Sequence, residues 1–504
     1  MNPGEYALER AFGPLSDDGS RTGARGVLAA DEARRPWREG WDVLNAWGVG
    51  AACVPVGDGG RWSDSSALMR ELRPVFRRDL TTGLGVVGGI LRPMVAARST
   101  DAEPLRRRVA SHLLSGGLCA SADEGPATRR TTPVLGGHEG SLLVATRQDA
   151  AGRARVLVAD AAAPADAVPT GAASRLTPAA CRGLDMAAAD LTGLRGESAD
   201  VADDCQDLPY LATGALAAGG AVGSVDTAIR LVLDFALSRR LYGTAVAELP
   251  HAAGLLAGAY ADVLAAEAVA RDAARALDRV LNRAPDRAPH DVARIAVAVH
   301  LVPRLLSGAL RDLATVLGAR FYLREGPQAL FGKFHRDIAM LGVLFADRRR
   351  CVPWIGATGA TGVFETAADW SSAGLTGPAA TRLAGFAERR ARLASAAPAP
   401  APDGAVSSSY AEEHATLHAA AACLRLWQDG VRTDDGFLGD PSWLAAALPR
   451  LDHVHDETRP PVTEDLAESI LPEMIARLAH GDPLDASTTS HTPTSLAPTD
   501  KDRT

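Results

Sequence analysis

Residues Leu216–Gly243 read LAAGGAVGSVDTAIRLVLDFALSRRLYG, and the rest of the chain is best understood outward from them. Val222, Val225, Ile229, Val232, Leu233 and Ala236 recur at steps of three and four, which describes one buried helix face. Asp226–Arg230 and Arg230–Asp234 are opposite charges four apart, expected on the outer face. Gly219, Gly220 and Gly223 are poor helix formers, and they make sense where another backbone comes close. The helix closes on Arg239, Arg240, Tyr242 and Gly243.

At 504 residues and 47% hydrophobic content the chain exceeds one ordinary core, so two to four domains are expected. Aromatic residues make up only 5%, which calls for a core of Ala, Leu and Val in closely packed helices. A net charge of −8 with no basic stripe argues against a nucleic-acid partner. The six cysteines are scattered with no CxxC pair, the pattern of reduced thiols in a cytoplasmic protein. The first residues hold no apolar signal-peptide core, and no uninterrupted apolar run reaches bilayer length, so no membrane partner is expected.

In chain order, residues 1–35 are polar and read as a flexible N-terminus. Residues 36–117 form an N-terminal helical domain, with Trp37, Trp41, Leu44 and Trp47 on one face and a small-residue helix over 82–96. In 118–208 the period shortens. SLLVATRQ (141–148) and RVLVAD (155–160) are strand-like, making a small β middle domain. Residues 209–394 hold a C-terminal helical bundle, whose four helices with short loops span 209–345. A Pro/Ala linker (395–406), a helical extension (407–483) and a polar tail expected to be disordered (484–504) follow. The expected fold is therefore mainly α with a small β middle domain.

F-A-x-x-R-x-x-Y-G, Phe235 to Gly243, resembles the YAxxRxxFG signature of acyl-CoA dehydrogenases. Leu44/Gly48, Val54-Pro55 with Gly59-Gly60, Glu71/Asp79 and Leu114/Gly116-Gly117 follow that family's N-terminal pattern in register. The resemblance implies its fold: an N-terminal helical domain, a β-domain (here reduced), a four-helix bundle and, in this chain, an extra helical extension. It also implies FAD as cofactor, an acyl thioester as substrate and a homodimer or homotetramer.

The site residues implied by the resemblance are partly replaced. The usual catalytic Glu, counted on from Arg336-Asp337, falls at Phe345, with Ala346 and Asp347 for the Gly and Thr after it. The alternative Glu position falls at Thr213, followed by Gly214. Asp347 is a displaced candidate base, expected to be ionised and salt-paired beside Arg348–Arg350. For the cofactor the resemblance implies Arg239, Tyr242 and Gly243 at the pyrophosphate. It adds Thr315 and Gly318 in the loop that ends Ala319, Phe321, Tyr322, and Ser121 in the β-domain. A helix-closing role for Arg239 and a structural ion pair for Arg336-Asp337 are the plain readings. His453 and His455 resemble half a metal site, but a solvated loop is the ordinary reading and no metal is expected. GHEGS (137–141) reads as a turn before a strand.

Three functions stay open on these residues. One is a divergent flavin-dependent oxidoreductase acting on an acyl thioester, carried by CoA or a carrier protein, in specialised metabolism. The second is a flavin-free, non-redox enzyme or partner-binding subunit on the same scaffold. The third is a flavin monooxygenase of this fold.

Overall fold

The computed structural model describes residues 7–17, 19–124, 132–137, 139–149, 153–160, 176–191, 194–201, 206–284, 289–357, 374–395, 408–456 and 459–486. The linker beyond Ser395, the tail from 487, Cys205 and His138 lie outside them.

From Ala7 on, the described residues of the segment expected to be a flexible N-terminus are instead folded. Helices α1 (Ala7–Phe12) and α2 (Ala24–Glu32) bury Leu8, Phe12, Val27 and Ala30. Their charges, which made the stretch look solvated, find distant partners: Glu9 meets Arg77 and Arg78, and Asp31 takes Arg336 at 2.6 Å. The N-terminal domain continues as α3 (Arg38–Trp47), α4 (Val49–Cys53), α5 (Ser65–Arg78), α6 (Leu80–Val86), α7 (Arg92–Arg98) and α8 (Glu103–Leu114). A π-turn, Val87–Leu91, joins α6 to α7.

The middle domain is a six-stranded sheet in the order β5-β2-β1-β3-β4-β6. Its strands are β1 (Cys119–Glu124), β2 (Thr132–Leu135), β3 (Leu142–Gln148), β4 (Ala154–Asp160), β5 (Met186–Ala189) and β6 (Glu197–Asp200). Only β1 and β3 pair in parallel. Alternation sorts the faces: Leu142, Val144 and Val156 join the main core, whereas Leu143, Ala145 and Leu157 build a satellite core on the other side.

The bundle follows as α9 (Leu208–Ser238), α10 (Pro250–Leu281), α11 (Pro289–Leu317), then α12 (Gly326–Asp337) and α13 (Ala339–Phe345). A short α14 (Arg348–Ala357) leads out. The glycines of α9 face another helix, although only Gly223 meets its backbone and Gly219 and Gly220 meet side chains. A Cβ on Gly219 would meet Met69 Sδ at 2.1 Å, one on Gly220 the ring of Phe76, and one on Gly223 the Arg73 carbonyl, so α5 lies directly on α9. The expected outer charged face holds at Asp234, which is exposed, but not at Asp226 and Arg230, which are 0% and 4% exposed. Among the described residues, four helical stretches, including α9, α10 and most of α11, are long and apolar enough to cross a bilayer, contrary to the sequence expectation. Their apolar windows are 83–100% buried within the protein, since Ala-rich helices here cover one another on every side.

The extension is no loose appendage. Helices α15 (Gly377–Ser395), α16 (Ser408–Arg432), α17 (Ser442–Asp452) and α18 (Glu464–His480) follow, and α16, α17 and α18 pack along α10. The start of the tail, expected to be disordered, is buried at Leu484, Asp485 and Ala486. Asp485 accepts from Arg73 at 2.6 Å and from Arg77 at 3.2 Å, and Arg77 also reaches Asp226 at 2.8 Å. One buried ionic cluster therefore ties α1, α5, α9 and the tail together, and the Arg73–Glu267 pair extends it to α10.

Candidate functional site

The two positions where the resemblance implies a catalytic carboxylate are brought together in space. Phe345, closing α13, is 2% exposed. It stands over Gly214 on α9, where an added Cβ would lie 3.1 Å from Phe345 Cβ and 3.1 Å from Val299 Cγ2 on α11. Thr213 turns its hydroxyl back onto its own helix, donating to the Pro209 carbonyl at 2.6 Å. Three helices thus close on a dry contact. Asp347 is exposed, and its Oδ1 accepts the Arg349 N–H at 2.9 Å at the head of α14. Its expected part in an Arg348–Arg350 salt cluster is corrected for Arg350, which pairs with Asp123 and Asp207 instead.

Between the sheet and the bundle lies an ionic cluster that the sequence reading missed. Asp123, near the end of β1, pairs with Arg92 at 3.3 Å and with Arg350. Arg350 also donates to Asp207 at 2.8 Å and lies 3.9 Å over the ring of Tyr210, while Trp354 Nε1 donates to Asp207 at 2.9 Å. Burial works against the Arg350 cation, but the Asp123 and Asp207 carboxylates outweigh it and hold its pKa above the usual value. Burial pushes the Tyr210 phenol up. Apart from the helical pairs Asp207/Tyr210 and Arg350/Trp354, nothing in local spacing links these residues, which are scattered from α7 to α14. Ser121, expected at the flavin, is fully buried and donates to the Gly88 carbonyl at 2.6 Å. The cavity beside its strand, bordered by Thr81, Gly85, Cys119 and Gly136, holds about 30 Å³. That is room for about one water, against about 300 Å³ for the smallest usual ligand pockets.

The signature itself ends in a hairpin. Arg240–Leu241 (β7) pairs with Thr244–Ala245 (β8), and Tyr242 and Gly243 between them have φ of 54° and 87°. Positive φ at both central positions is what a type I′ turn requires. Tyr242 is 98% exposed and no atom lies within 4 Å of a Cβ built on Gly243. Arg239 is likewise exposed, at the C-terminus of α9. The segment Gly318–Tyr322 reaches the same end of the bundle, where Arg320 sits 5.9 Å over the Phe235 ring. Thr315 is exposed and donates to its own helix at Arg311, and Gly318 keeps a left-handed φ of 55°. Phe321, where a glycine is implied, packs against His335 at 4.9 Å and Phe331 at 6.0 Å, filling the cradle. The described residues leave no room for a flavin ring beside Ser121, and Phe321 fills the place of one glycine in the phosphate loop, whose Gly318, Ala319, Arg320 and Tyr322 are exposed.

Other expected features fall into architecture. Asp337 is a hub that accepts from Arg336 at 2.7 Å, Lys333 at 2.6 Å and the Cys181 N–H at 2.7 Å. Lys333 also reaches Asp79 and Thr81. Around Glu139 and Gly140 the chain turns into β3, as GHEGS suggests, with Gly140 N–H bonded to the Gly136 carbonyl. His453 pairs with Asp456 at 2.7 Å on its own loop.

The model for the C-terminal domain of acyl-CoA dehydrogenases matches residues 212–344, from α9 to α13. No curated protein matches the chain. Butyryl-CoA dehydrogenase from Megasphaera elsdenii superposes with a TM-score of 0.52 at 11% identity, over 68% of this chain and 94% of that one. The prolyl acyl carrier protein oxidase AnaB gives a TM-score of 0.52 at 12% identity, over 68% and 95%. Dibenzothiophene monooxygenase (TdsC) from Paenibacillus sp. A11-2 gives 0.52 at 15%, over 68% and 92%. At these identities the likeness is one of fold.

Proposed function

On this acyl-CoA-dehydrogenase-like scaffold we propose a flavin-free, non-redox protein that acts by binding a partner. The observation that carries the reading is the Phe345–Gly214 contact: the resemblance implies a carboxylate at Phe345, which α-proton abstraction would need within about 3 Å of the substrate carbon, and a packed phenyl ring supports its loss. The packed cluster of Arg92, Asp123, Asp207 and Arg350 supports it, because dismantling several buried ion pairs to admit a ring is costly. The partner surface is the end of the bundle bearing Tyr242, Tyr322, Leu241 and Leu323 beside Arg239 and Arg320, and the partner is a second copy of the chain. We place the protein in the cytoplasm, where its buried thiols stay reduced.

The test is spectroscopic. Purified protein should show no absorbance near 450 nm and should bind neither FAD nor FMN in a fluorescence titration. Stoichiometric flavin binding overturns the reading. Anaerobic bleaching of that flavin by acyl-CoA or acyl-carrier-protein thioesters would then establish the acyl-thioester oxidoreductase. A monooxygenase is the second reading, favoured by the exposed guanidinium of Arg239 at the end of α9, a group suited to gripping a phosphate. Its mark would be oxygen uptake with reduced flavin and no bleaching by thioesters.

A further inference from the structure

We infer that His300, Glu412 and His455 form a site for one divalent transition-metal ion of the zinc class, latching the C-terminal extension onto the bundle. The three residues come from three elements: His300 from α11, Glu412 from α16 and His455 from the loop after α17. Their ligand atoms all lie within 4.8 Å of one another. The rings of His300 and His455 are 5.7 Å apart between centroids and tilted by 45°, so they converge without stacking.

Two imidazoles with one carboxylate favour a borderline metal over Mg²⁺ or Ca²⁺, which take oxygen ligands. Ligand atoms on a tetrahedral ion at about 2.1 Å lie about 3.4 Å apart, so closure asks for a contraction of roughly 1 Å. The side able to supply it is the exposed His455. Burial is graded across the site, from His455 at the surface through half-buried Glu412 to fully buried His300, giving an ion a way in from solvent. Three protein ligands also leave a fourth position for water.

The loop is held where the site needs it. Val454 is 3% exposed, and Arg459 donates to the Arg304 carbonyl at 2.8 Å, one turn beyond His300, while pairing with Asp262 at 2.6 Å. Arg450, closing α17, grips the same Asp262 at 2.7 Å. The Arg304 guanidinium is bonded to the His300 carbonyl. His453, two residues before His455, is engaged by Asp456 and is no ligand.

Tag-free protein, dialysed against EDTA and then freed of chelator, is titrated with Zn²⁺ and with Co²⁺ by calorimetry, and its thermal midpoint is followed with and without metal. The expected result is one equivalent bound and a raised midpoint. His455→Ala and Glu412→Gln, both outside the buried core, should each weaken binding at least about tenfold and remove the midpoint rise, with His453→Ala as wild type. Absence of saturable binding at micromolar metal overturns the inference. So does one-equivalent binding that survives both ligand substitutions, or that is lost equally in His453→Ala. None of these outcomes depends on flavin binding.

Discussion

Gly214 and Phe345 pack so closely that a methyl group on the glycine would stand 3.1 Å from the phenylalanine Cβ. Phe345 stands where the resemblance implies a catalytic Glu, and its contact with Gly214 is closed by Val299 on α11.

A mutant cycle reads this contact. Phe345→Ala should cost about 3–5 kcal/mol by opening a cavity in a dry core. Gly214→Ala adds a tight methyl but improves helix propensity, and the net should be a loss of about 1 kcal/mol. In the double mutant the methyl enters the vacated space, so the total should be smaller than the sum by about 1 kcal/mol in urea unfolding. Strict additivity would mean that the two residues do not touch.

Restoring the carboxylate should not restore chemistry. Phe345→Glu buries an acid in a site packed against Gly214, so stability should fall by several kcal/mol. No flavin bleaching by thioesters should appear. Gain of such activity in a stable variant would contradict the packed-site reading.

The cluster around Arg77 predicts a strong effect far from that contact. Asp226 and Asp485 both serve Arg77, and Asp226 also serves Arg230 at 2.8 Å. Asp226→Asn should therefore cost about 3–5 kcal/mol, the usual consequence of stranding a buried charge. A chain ending at residue 483 loses Asp485 and should also unfold at lower denaturant. An unchanged midpoint for the truncated chain would show that its last residues add nothing to the fold.

Stability should fall on mild acidification. Burial, with His418 nearby, lowers the His414 pKa to about 3. Burial also lowers that of His418, against the pull of Asp272 at 2.9 Å. A depressed imidazole pKa means that the unfolded chain takes up the proton first. Stability is then fully present above about pH 6.5 and declines as pH falls toward 3, by up to about 1.4 kcal/mol per unit for each group. His414→Gln should flatten that decline in denaturation series between pH 7 and 5.

The sequence by itself determined the scaffold. The three-and-four spacing of α9, the small residues facing α5 and the strand-like runs at 141–148 and 155–160 are local signals, carried by neighbours in the chain. By resemblance it also implied that the usual carboxylates are replaced, at Phe345 counted from Arg336-Asp337 and at Thr213 near the start of α9. Tertiary structure alone decided what took their place. Polar residues in 1–35 and in the tail look solvated until Asp31, Glu9 and Asp485 meet arginines far along the chain. Asp226 and Arg230 look external until α5 and the tail cover them. The joining of Arg92 and Asp123 to Arg350, and of His455 to His300 and Glu412, leaves no trace in spacing, because side chains that meet across helices share a place in space and no period in sequence.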